Sequence, residues 1–178
     1  MELTLSVTWL ENSMKKMIAL LIVSLPAISL GADNPDESFF KDAAQAGMAE
    51  VAAGQTAQSK GSSQAVKDFG AMMVKDHSAA NAKLKKIAMA KGVELPDGPS
   101  LMQKGMNKKT DMKSGDSFDN AYIEDQVKAH KDTIELLQKE IDNGKDPDGK
   151  AFATETLPKV KAHLDKITKI AADKGLKS

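Results

Sequence analysis

At 178 residues and a formal net charge of zero, the chain is long enough for one domain with a real hydrophobic core. All 25 basic residues are lysine; nucleic-acid binders lean on a basic face and on the bidentate contacts of arginine, so no nucleic-acid partner is expected. The chain has no cysteine, which excludes disulfide frameworks, thiolate metal sites and cysteine nucleophiles.

The amino terminus reads as an export signal over residues 1–32. Lys15 and Lys16 precede an apolar run from Met17 to Leu30, followed by the small residues Gly31 and Ala32 and then by polar Asp33 and Asn34. The run is short for a membrane span and carries Pro26. No integral membrane segment is therefore expected after cleavage; the alternative is an uncleaved anchor. Glu2 and Glu11 are out of place ahead of the lysines, so residues 1–13 are read as preceding a natural start at Met14. A periplasmic or otherwise exported protein is expected, with its domain over residues 36–175.

Beyond Asp36 the composition is that of helices: Ala, Lys, Gln, Met and Leu dominate and strand-like runs are missing. The first helix is expected over Glu37 to Lys60, with Phe40, Ala43, Gly47, Glu50, Gly54 and Ala57 on one stripe. Its small residues suit close approach of a neighbour. Gly61 stops it, and Ser63 caps a second helix that runs to Lys91 before Gly92 and Pro96. The stripe of that helix is Val66, Phe69, Met73, His77, Ala80, Leu84 and Ile87.

From Gly92 to Ser117 the chain is chiefly a long connection, in which Leu101 to Met112 can form a short helix. A third long helix is expected from a cap at Ser117, with Phe118, Ile123, Val127, His130, Ile134, Leu137 and Ile141 inward and a stop at Asn143-Gly144. Asp146-Pro147 opens the last, with Phe152, Val160, His163, Ile167 and Ile170 aligned and Pro158 inside it. Two short connections flank one long enough to run the roughly 40 Å length of such helices. That pattern predicts an all-α, four-helix, ferritin-like bundle with a crossover between the second and third long helices. An up-and-down bundle with a slack middle loop is the alternative.

Only three histidines occur, His77, His130 and His163, and each falls inside the apolar stripe of a different helix. Glu50 does the same on the first. All four lie near the middle of their helices, so they are expected to meet in one central layer. Three imidazoles and a carboxylate are a donor set for a single transition-metal ion, zinc, iron, manganese or copper. The competing reading is a structural or protein-interaction bundle whose histidines are hydrogen-bonded core residues. Asp76, Asp119, Glu124, Glu155 and Tyr122 are candidate supports, with solvated helix surface the simpler reading of the carboxylates. Met102, Met106 and Met112 offer thioethers suited to Cu(I), at spacings that fit no tight motif. No glycine-rich phosphate loop, nucleophile elbow or Ser-His-Asp set appears, so no catalytic residues are assigned.

The segments Ala49-Glu50, Met73 to His77, Phe118-Asp119 with Tyr122 and His130, and Leu157-Pro158 followed by His163-Leu164 resemble a bacterial ferritin-like family of unknown function, often labelled predicted outer-membrane proteins. The likeness covers nearly everything from Phe39 onward. It implies a ferritin-like bundle outside the cytoplasm and supplies no function. Di-iron members of the wider fold carry two Glu-x-x-His pairs, whereas Val74, Val127 and Val160 stand three residues before the histidines here. One metal ion, or none, fits this pattern better than a di-iron centre; the metal-binding reading carries a stress or redox-related role.

Overall fold

The structure is a computed structural model that describes residues 34–176; the segment read as a signal lies outside the described residues. These residues form five helices and no strand: α1 (Glu37–Lys60), α2 (Gln64–Ala90), α3 (Leu101–Asp111), α4 (Gly115–Asn143) and α5 (Pro147–Asp173). Local chemistry sets most boundaries. Ser63 caps α2 by accepting from the Val66 N–H, and Gly61 and Gly144 end α1 and α4. Asp146 caps α5 by accepting from the N–H groups of Asp148 and Gly149, with Pro147 in the first turn, where its missing N–H costs nothing. Helix α3 carries a capping box between Ser100 and Gln103.

One boundary departs from expectation. Ser117 is not a cap: α4 begins at Gly115, whose φ of +57° few other residues tolerate, and the N-cap is Ser114. Helix α5 continues through Pro158, which leaves the carbonyl of Thr154 without its usual helical donor.

The packing pairs α1 with α2 and α4 with α5, and sets α1 against α4 and α2 against α5. Side-chain clamps fix the direction of each helix. At one end, Asp119 in the first turns of α4 accepts from the N–H groups of Ser62 and Ser63 at the α1–α2 turn, at 2.8 and 2.9 Å. At the other, Asp36 at the start of α1 accepts from Lys145 N–H in the α4–α5 turn at 2.6 Å, and Lys91 at the end of α2 pairs with Asp146 at 2.8 Å. Helices α2 and α4 therefore run in the same direction, and the chain from Lys91 to Ser114 returns from one end to the other through α3. Glycine permits close approach of α1 and α2: a Cβ on Gly54 would lie 2.6 Å from the Gly70 carbonyl oxygen.

The apolar core is in two parts. One gathers Val66, Phe69, Met73, Phe118, Ile123 and Ile167; the other gathers Phe40, Leu84, Leu137, Phe152 and Val160. Along α2, α4 and α5 these runs are separated by His77, His130 and His163 respectively, and along α1 the gap between Ala44 and Ala57 holds Glu50. A polar layer thus divides two hydrophobic halves, each stabilised by burial at roughly 25 cal/mol per Å².

Candidate metal centre

Helical periodicity turns His77, His130 and His163 inward from three different helices, and each is at least nine-tenths buried. Their ring centroids are 5.6–5.9 Å apart, and one ring nitrogen of each lies within 4.8 Å of the other two. Phe69 walls the group on one side, 6.0 Å from the His130 ring.

Hydrogen bonding fixes the proton on two of the rings. His130 Nδ1 donates to the Gln126 carbonyl at 2.9 Å, because a carbonyl can only accept. His163 Nε2 donates to the Asp76 carboxylate, also at 2.9 Å. The nitrogens left with a free lone pair are His130 Nε2 and His163 Nδ1. Both are buried without a partner, as is His77 Nε2. An unpaired buried polar atom costs about 1–3 kcal/mol, so three in one cluster is a standing cost unless something meets them.

A metal–imidazole distance of about 2.0–2.1 Å puts nitrogens roughly 3.4 Å apart around a tetrahedral ion. Starting within 4.8 Å of one another, the rings would each move by less than about 1 Å on that geometry. Burial, with help from the neighbouring imidazoles, lowers the His77 pKa to about 3. Burial also lowers that of His163, against the opposing pull of Asp76. Neutral rings are the form that ligates metal.

The other candidates divide clearly. Glu50 is buried on α1 beside Gln126 and close enough to His130 to interact with its charge, yet it stands outside the three-histidine group. Burial raises its pKa, against the pull of His130 and Gln126. Asp76 and Asp119 are not solvated helix surface: the first orients His163, and the second is fully buried at the α1–α2 turn. Glu124 and Glu155 are solvent-exposed as expected, Glu155 pairing with Lys83. The Tyr122 hydroxyl is buried without a partner, and burial pushes its pKa well up. Met102 and Met112 are exposed on or beside α3.

Two residues escaped the sequence reading. Gln126, four before His130, supplies the carbonyl that sets that ring's tautomer; the spacing was visible, but a main-chain acceptor leaves no mark on residue type. Glu140 is buried near the α4–α5 turn, where burial and neighbouring Asp36 raise its pKa to about 7. The available signal was its place three residues after Leu137, on the inward stripe.

A crystal structure of a DUF305 protein from Streptomyces coelicolor superposes with a TM-score of 0.70. It is 12% identical over 83% of this chain and 98% of its own, a likeness that speaks for the fold alone. No curated protein matches. A family described as a domain of unknown function, DUF4142, matches residues 25–170. That span contains Glu50, all three histidines and the carboxylate that orients His163, and the chain belongs to the DUF4142 family.

Proposed function

We propose that this protein is an exported, ferritin-like four-helix bundle that holds one transition-metal ion between His77, His130 and His163. One observation carries the reading: three buried imidazole nitrogens lack partners within a single cluster, while the opposite nitrogens of two of those rings are already engaged. A carboxylate or carbonyl on the far nitrogen is how metal-binding histidines are oriented and made more basic. The absence of Glu-x-x-His pairs favours a single ion over a di-iron pair, and neutral nitrogen donors suit zinc, copper or iron. The long return through α3 supports the ferritin-like description, and the run after Lys16 supports export. Three protein donors would leave a bound ion room for a further ligand, and a redox-active ion held in that way would support a stress or redox-related role.

A trapped water is the competing occupant, since it could donate to His130 and His163 and accept from His77. That version is a structural bundle without metal. Elemental analysis of protein purified from the exported fraction without a metal-binding tag separates the two. Bound zinc, copper, iron or manganese near one equivalent supports the proposal. A metal-free protein whose melting is unmoved by any of these ions ends it.

A further inference from the structure

Resting on the metal reading, a second feature of the polar layer gains a role. A cavity of about 220 Å³ lies between α1, α3 and α4, with α3 as its roof. Glu50 and Gln126 line it, and both are at least nine-tenths buried. Glu50 Oε2 and Gln126 Oε1 are buried acceptors with no partner. Asp125 and Asp132 add negative charge to the lining, offset only by Lys128, which is paired with Asp132. The inner wall adjoins the metal centre: Gln126 holds the His130 ring through its carbonyl, and Glu50 is close enough to His130 to interact with it electrostatically.

We propose that this cavity is the port by which the cation reaches the three histidines, with Glu50 as the transfer ligand that receives the ion and passes it to His130. The chemistry fits a divalent cation shedding water. Anionic lining draws it in, and two buried oxygen acceptors replace part of its hydration before the imidazoles take over. The Asp76 side of the centre is less suited to a cation. There Lys159 places its ammonium 3.9 Å from Asp76, whose carboxylate is already bonded to His163. Three polar contacts hold the roof in place. Asn107 donates to the Ala49 carbonyl at 3.4 Å, Thr110 to Asp125 at 2.5 Å, and Lys60 to the Asp111 carbonyl.

The test is the rate at which metal-free protein takes up Co(II), followed by its visible absorbance in stopped flow, with the final amount bound measured separately. Glu50→Gln keeps the side-chain shape and removes the charge; uptake should slow by about tenfold, the lower end of what a charged cleft contributes to association, while the final amount is unchanged. Thr110→Val removes one of the three contacts that hold the roof and should speed uptake. If Glu50→Gln loads at the wild-type rate, the port is refuted and the histidine centre stands. If it lowers the final amount bound, Glu50 is a resident ligand and the transfer role is refuted. If the wild type takes up no Co(II), the metal reading and the port fall together. Should Glu50→Gln fail to fold, an unchanged uptake rate in Thr110→Val overturns the port.

Discussion

Replacing Glu140 with glutamine should raise stability at alkaline pH and change it little in acid. Glu140 is 5% exposed, and its Oε1 has no partner and lies 2.5 Å from where a Cβ on either Gly144 or Gly149 would sit. The carboxyl is therefore enclosed by a glycine cradle, with Asp36 and Asp146 nearby, and its pKa is raised from 4.5 to about 7 by burial first and by those aspartates second. A raised pKa means the folded state holds the proton more tightly than the unfolded state. Between about pH 4.5 and 7 the folded protein binds more protons, so stability falls as pH rises through that window. At about 1.4 kcal/mol per pH unit the loss approaches roughly 3 kcal/mol by pH 8. The substituted amide would carry no charge and would donate to Asp36 as the protonated acid does. Glu140→Gln should thus gain up to about 3 kcal/mol at pH 8, or roughly 6–12 °C in Tm for a domain of this size, and match the wild type near pH 4. Denaturant midpoints of both proteins from pH 4 to 8.5 measure this. The difference between them isolates Glu140 from His77, whose lowered pKa makes stability fall on acidification from about pH 6.5 toward 3. Equal slopes, or a Glu140→Gln protein less stable than wild type at pH 8, would refute the cradle argument.

Other outcomes follow from single contacts. His77→Ala should melt lower than the wild type and ignore a chelator that lowers the wild-type Tm, because metal stabilises only the folded state that binds it; thermal melts with and without chelator decide this, and a chelator-insensitive wild type contradicts it. Asp76→Asn should weaken metal affinity by about 10–100-fold through loss of the His163 anchor, read by competition with a chromophoric chelator. Asp119→Ala strips the acceptor from two backbone N–H groups at the α1–α2 turn and should cost about 2–4 kcal/mol in chemical denaturation; a loss below about 0.5 kcal/mol, the scale of an ordinary surface change, would show the clamp to be dispensable. Gly54→Ala forces a methyl against the Gly70 carbonyl and should cost about 1–3 kcal/mol, measurable in the same assay.

What the sequence determined alone was whatever depends on near neighbours along the chain. Ser63, Gly61, Gly144 and Asp146-Pro147 mark helix ends because capping and φ preferences act within one turn. The 3.6-residue period turned His77, His130, His163 and Glu50 inward for the same local reason. Gly115 already shows the limit, since its left-handed backbone, rather than the Ser117 hydroxyl, starts α4. Contacts between helices depend on axial rotation and relative height, which no single helix encodes. Asp76 is the sequence neighbour of His77 but reaches across to His163 on α5. Asp119 resembles any surface aspartate until the α1–α2 turn presents two N–H groups to it. Tertiary packing also brought one nitrogen of each imidazole within 4.8 Å of the other two, with Glu50 beside that group and lining a cavity under α3. Side-chain direction was written in the chain; which side chains share a few ångströms was decided only when the two helical hairpins closed on each other.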